Sequence, residues 1–152
     1  MIYFDIDGVA RHLNMAVYGY DPNQWAKKND KGLTLLNMVD ADPSICARAP
    51  PTEYLPFINS LPGVVFLSNQ APSWQKFTDA WLHKHIKISF RVHYVVDKLA
   101  CIQPTDYIMD DYPFFKSYDQ ILLVDRPYNR GVKCPIRICN PTEMAQCYEW
   151  MG

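Results

Sequence analysis

Asp5 and Asp7 stand two residues apart at the end of an apolar stretch and run directly into Gly8. In an extended segment alternate side chains share a side, so both carboxylates can face one cavity. Two such acids can divide labour, one attacking and the other shuttling a proton. Gly8 lets the chain turn sharply and bring backbone N–H groups towards an anion. A carboxylate attacking a phosphate ester meets like-charge repulsion. A Mg2+ ion removes that obstacle, and it takes carboxylates together with carbonyls, waters and phosphate oxygens. Turns and calcium-loop fragments also use Asp-x-Asp-Gly, so this stretch by itself leaves its chemistry open.

Three later positions suit the same chemistry. Ser68 and Asn69 offer a hydroxyl and an amide directly after the apolar run Val64-Val65-Phe66-Leu67. They could bond phosphoryl oxygens, or simply cap a loop ahead of Pro72. Lys98 could neutralise a nucleophile and a phosphoryl group, although a lone lysine after a strand is commonly a solvated surface residue. Asp110 and Asp111 follow the short apolar run Tyr107-Ile108-Met109. Asp111 could cap a following helix, but paired acids at a buried strand end repel each other unless a cation joins them, and a metal accounts for both.

The elements that would position these groups alternate. Residues 1–7 read as a strand, as do Val64–Leu67, Phe90–Val96, Tyr107–Met109, Ile121–Val124 and residues 136–139. Helical spacing marks residues 73–85 and 142–150. A further helix starts at Pro50-Pro51-Thr52-Glu53 and runs to Pro62-Gly63. Residues 10–49 are less regular and suggest one or two short helices. The pattern predicts a single α/β domain over residues 1–152, a Rossmann-like three-layer sandwich with a mainly parallel sheet, with residues 10–49 inserted after its first strand. In such sheets ligands sit beyond the carboxyl ends of the strands, where these polar groups fall.

Composition narrows the possibilities. The chain has 152 residues, a net charge of −1, 49% hydrophobic and 14% aromatic residues, enough apolar material for one packed domain and too little positive charge for a protein that coats nucleic acid. No apolar run is long enough to cross a bilayer, and the acidic first residues do not read as an export signal, so a cytoplasmic location is expected. The five cysteines are an odd number without zinc-knuckle spacing and read as reduced thiols. The four histidines are read as non-catalytic.

The order and spacing of the four polar positions resemble the haloacid dehalogenase superfamily of phosphohydrolases. Asp5-Ile6-Asp7-Gly8-Val9 looks like its first motif, Val65-Phe66-Leu67-Ser68-Asn69 its second, Lys98 its third and Ile108-Met109-Asp110-Asp111 its fourth. The tail from Ile121 through Asp125-Arg126-Pro127-Tyr128-Asn129-Arg130 resembles the 5'(3')-deoxyribonucleotidase branch. The resemblance implies that Asp5 attacks phosphorus and that Asp7 protonates the leaving oxygen and later activates water. It implies that Gly8, Ser68, Asn69 and Lys98 hold the phosphoryl group, and that Mg2+ is held by Asp5, Asp7 through its carbonyl, Asp110 and Asp111, one of the last two directly.

The resemblance implies that residues 10–49 form a small helical cap over the site, shorter than the cap that branch carries. A small lid implies a more open site, in which Tyr18, Tyr20 and Trp25 either stack on a base or pack the insert against the core. Arg126 and Arg130 either meet a remote charge on the substrate or remain solvated. The expected activity is a Mg2+-dependent phosphomonoesterase acting through an aspartyl-phosphate, with a nucleoside monophosphate as substrate. A phosphorylated polynucleotide end, another small phosphate ester, a phosphotransferase reaction, or non-catalytic binding of a phosphorylated ligand are the alternatives.

Overall fold

A computed structural model of the chain describes residues 1–152. Six strands form one sheet: β1 (Ile2–Phe4), β2 (Gly63–Ser68), β3 (Ser89–Tyr94), β4 (Tyr107–Asp110), β5 (Ile121–Val124) and β6 (Ile136–Ile138). All neighbours run parallel, in the order β3-β2-β1-β4-β5-β6. This is the Rossmann-like order, and it reverses direction between β1 and β4. The crevice beyond the carboxyl ends of those two strands is where such sheets bind ligands.

The sheet has two unequal faces. One packs against α4 (Leu55–Ile58), α5 (Pro72–His85) and α6 (Pro141–Met151), and its core contains Phe4, Phe66, Met109, Leu122, Ile58, Trp81 and Met144. The other face, built on Leu67, Ile108, Ile121 and Leu123, is covered by a 3-10 turn at Leu99–Cys101 and by loop residues such as Phe115 and Tyr118. The third layer is therefore thin. β5 is buried at all four residues, which is why it reads as an unbroken apolar run, whereas β3, at the sheet edge, alternates exposed and half-buried positions.

Residues between β1 and β2 form α1 (Leu13–Tyr18), α2 (Leu35–Ala41) and α3 (Ile45–Arg48), followed by α4. Leu13, Val39 and Cys46 join Trp74 of α5 in a small core of their own. The inserted helices are thus anchored on the first half of α5. α2 begins at a reciprocal cap between Thr34 and Asn37, and α6 begins at Asn140, whose side chain accepts from the Glu143 N–H ahead of Pro141. No helix is long and apolar enough to cross a membrane.

Several boundaries differ from the sequence-based expectation, each for a local reason. β1 stops at Phe4, because Asp5–Arg11 closes into a compact loop in which the Ala10 and Arg11 N–H groups both donate to the Ile6 carbonyl. The helix expected from Pro50 to Leu61 is reduced to α4, since the Pro51 region is held as extended backbone by the bonds His12 N–H to Pro50 O and Thr52 N–H to Ala10 O. The segment after Asp111 is a set of turns, so Asp111 caps no helix.

Candidate active site at the sheet switch point

Register places the two groups of acids side by side. Tyr3 pairs with Ile108 and Phe4 with Met109, and the Asp5 N–H continues the ladder to the Met109 carbonyl at 2.9 Å. Asp5 and Asp110 therefore leave adjacent strands at the same level. One carboxylate oxygen from each of Asp5, Asp110 and Asp111 lies within 4.8 Å of the other two, and all three residues are buried. Lys98, from the loop after β3, reaches both Asp5 Oδ1 at 2.8 Å and Asp110 Oδ2 at 2.6 Å.

Three buried acids thus lie beside one ammonium that reaches two of them, and burial makes the shortfall of positive charge costly. Burial and the neighbouring Asp110 push the Asp5 carboxyl up to about 7. Asp111 is raised well above its usual range by the same causes, burial first. For Lys98 burial works against the charge, but Asp110 and Asp5 outweigh it and hold the ammonium protonated beyond its ordinary range. A divalent cation fits this site. Its charge matches the imbalance, the donors are hard oxygens, and oxygens about 2.1 Å from an octahedral ion lie about 3–4 Å apart, close to the spacing available here.

The backbone makes room for that cluster. Gly8 has φ of 80°, and a Cβ there would come 1.9 Å from Asp111 Oδ2, so both the conformation and the contact demand glycine. Tyr128 donates its hydroxyl to Asp111 Oδ2, and Asn129 Nδ2 donates to the Asp111 carbonyl at 2.9 Å. Arg126 is buried and spends its guanidinium on the Gly8 carbonyl, with 3.0 and 2.8 Å bonds, and on Glu53 at 3.0 Å. It braces the Gly8 turn and is not free to meet a substrate. Arg130 is solvated and 3.2 Å from Asp125.

The remaining expected residues divide between the pocket and its walls. Ser68, at the end of β2 and 2% exposed, lines the same pocket as Asp5 and Lys98. Asn69 also lines it, but its amide donates to the Val96 carbonyl at 3.2 Å. Asp7 lines it too, yet stands apart from the metal-type cluster: Arg11 Nε and Nη2 grip its two oxygens at 2.7 and 2.9 Å, and Gln70 Nε2 donates to Oδ2 at 3.2 Å. Burial opposes the Arg11 charge, and Asp7 more than offsets this, so the guanidinium keeps its proton more firmly than usual.

The cavity holds about 790 Å³, within the range of small-molecule sites and far more than a phosphate needs. Trp25 forms part of its wall, edge-on to Tyr112 and Tyr128 with ring centroids 5.3 and 5.2 Å away. Phe114, exposed, and Lys116 also line it. Tyr18 and Tyr20 do not; Tyr18 donates to the Lys27 carbonyl within the insert. His12 borders the pocket 3.4 Å from Asp21.

Sequence reasoning missed Arg11, Gln70, Tyr128 and Phe114. Arg11 had a signal, a lone charge within Gly8-Val9-Ala10-Arg11, which a buried site must pair. No family model matches the chain and no curated protein matches it in sequence, so the chemistry of the site rests on its own geometry.

Proposed function

We propose that the protein is a Mg2+-dependent phosphomonoesterase that works through a phosphorylated Asp5, with a nucleoside monophosphate as its substrate class. The observation that carries this reading is the buried Asp5–Lys98–Asp110–Asp111 cluster at the sheet switch point, with Ser68 lining the same pocket. The four-motif resemblance to haloacid dehalogenase phosphohydrolases supports it. Asp5, Asp110 and Asp111 would hold the ion, which when bound supplies the positive charge that lets two anions meet.

An Asp5 oxygen attacks phosphorus as the bond to the leaving oxygen breaks, and the leaving oxygen takes a proton from Asp7. Ser68 and Lys98 hold the phosphoryl oxygens as charge moves across them. Water then attacks phosphorus, gives a proton to Asp7 and releases phosphate, restoring the Asp5 carboxylate. The pocket lined by Trp25, Phe114 and Lys116 has the volume for a flat base, which stacks on aromatic faces.

The test is a phosphatase panel of nucleotides, sugar phosphates and end-phosphorylated oligonucleotides, with Mg2+ and with chelator. Turnover is expected for mononucleotides with Mg2+ alone. Asp5→Asn should fold and lose about 10³-fold or more in kcat, because no second nucleophile is available. Full turnover in Asp5→Asn overturns the covalent mechanism, and ligand binding without turnover across the panel overturns the enzymatic reading.

A further inference from the structure

Arg11 is the fully buried charge that the proposed reaction leaves without a role. Its guanidinium meets Asp7 through two bonds, and Nη1 donates to the Cys46 carbonyl of α3 at 2.8 Å and to Thr78 Oγ1 of α5 at 3.0 Å. Thr78, also fully buried, donates in turn to Gln70 Oε1 at 2.6 Å, which turns Gln70 Nε2 towards Asp7 Oδ2. The four side chains close a ring, and every group the ring presents to Asp7 is a donor.

Stability alone does not explain this arrangement. Replacing a buried ion pair with apolar residues of similar size is often neutral or favourable. What the ring uniquely supplies is direction. A carboxylate has about four lone-pair positions; Arg11 takes one on each oxygen and Gln70 takes the second on Oδ2. One position on Oδ1 is left. Asp7 lines the pocket and its side chain is 27% exposed, so that position belongs to the part of the carboxylate that a reactant reaches.

We propose that Arg11 is the positioning residue for Asp7, and that with Gln70 it confines the travelling proton of phosphate-ester cleavage to the free lone pair of Asp7 Oδ1. This rests on the phosphomonoesterase reading above. In the first step the proton leaves Oδ1 for the departing oxygen as its bond to phosphorus breaks. In the second, water forms a bond to phosphorus, the bond from Asp5 to phosphorus breaks, and the proton released by water returns to Oδ1. Arginine suits the task because its planar fork fixes the carboxylate plane, which the point charge of lysine does not.

The experiment compares an alkyl phosphate, whose leaving oxygen needs a proton, with 4-nitrophenyl phosphate, whose phenolate departs without one. For Arg11→Gln, kcat/KM on the alkyl ester should fall about 10²-fold or more, the scale of positioned acid–base catalysis. On the nitrophenyl ester kcat/KM should fall less than about 5-fold, while kcat and KM fall together because water activation is slowed. Arg11→Lys should recover part of the alkyl-ester loss. An equal loss of kcat/KM on both esters, or full recovery with lysine, overturns the proposal. If Arg11→Gln does not fold, Gln70→Met carries the same comparison, with a smaller selective loss expected and an equal loss, or none, overturning it. Wild-type protein that cleaves neither ester and no member of the nucleotide panel removes the phosphomonoesterase reading itself, whereas active wild type with inactive Asp5→Asn and a flat leaving-group ratio in Arg11→Gln removes this proposal alone.

Discussion

Two clusters of buried charge border the pocket, a few residues apart in sequence, and they are balanced in opposite ways. Asp7 faces a guanidinium, an amide donor and a closed hydrogen-bonded ring, so its charge is matched within the protein. Asp5 and Asp110 share one ammonium, and Asp111 beside them has only the neutral Tyr128 hydroxyl on its carboxylate. Both arrangements remove charge from water, at a cost of several kcal/mol per ion before partners are counted. The first spends its donors to fix one carboxylate in place. The second has donors too, Lys98 on Asp5 and Asp110 and Tyr128 on Asp111, but only one of them carries a charge, so the cluster is left short of positive charge. The contrast teaches that an unbalanced buried cluster points outward, to what it binds, and a balanced one points inward, to what it holds.

The comparison breaks first at Arg11. Arg11→Met leaves the half-buried Asp7 beside Gln70 without its cation, and the Thr78 hydroxyl and Cys46 carbonyl without their donor, and should destabilise the fold by about 1.5–3 kcal/mol. The double variant Arg11→Met, Asp7→Leu should regain most of that in urea unfolding, since the pair is removed whole. A double variant no more stable than the single one would show that the ring matters through packing, for instance through the Arg11 guanidinium 5.8 Å over the Trp81 ring.

The unbalanced cluster predicts an unusual dependence on pH. Asp5 is raised from 3.8 to about 7, and Asp111 is raised as well, so folding takes up protons. Stability from these groups is present at low pH and is lost as pH rises from about 4 towards 7. In chelator the melting temperature should therefore fall between pH 5 and pH 8, and Mg2+ should flatten that slope. Asp111→Asn should raise the melting temperature in chelator at pH 8, by about 2–4 °C for each kcal/mol of repulsion relieved, and should abolish stabilisation by Mg2+. A melting temperature that rises with pH in chelator would mean that the cluster is balanced after all.

The smallest effect lies at the aromatic wall. Trp25→Ala should raise KM for nucleoside monophosphates about 5-fold or more, from lost base stacking, and leave KM for a small alkyl phosphate unchanged. Equal effects on both would place Trp25 in support of Tyr112 and Tyr128 rather than against a base.

Much of this arrangement was legible in the residues. Ile121–Val124 reads as a buried parallel strand because it has no polar side to show, and residues 73–85 read as a helix because Trp74, Phe77 and Trp81 recur at its period. Asp5, Ser68 and Asp110 were legible because strand ends and apolar runs mark them. What was not legible depends on distant partners. Arg11 reaches Thr78 and Cys46 through contacts between α3 and α5 that no local pattern encodes. Tyr128 meets Asp111 only because a 3-10 turn at Pro127–Asn129 folds back beside β4. The helix expected from Pro50 was overridden by pairing with the Asp5–Arg11 loop, a tertiary contact winning over a local start signal.

The strand order has a consequence for how the chain comes off the ribosome. β1 lies between β2 and β4, so Asp5 emerges about 5–20 s before Asp110 and Asp111, at ordinary synthesis rates. Until β4 docks, Asp5 and Lys98 have neither the carboxylates of that strand nor the wall they build. A nascent chain that stalls before residue 107 therefore carries Asp5 without Asp110 and Asp111 beside it, and the acidic cluster is assembled only as the sheet closes.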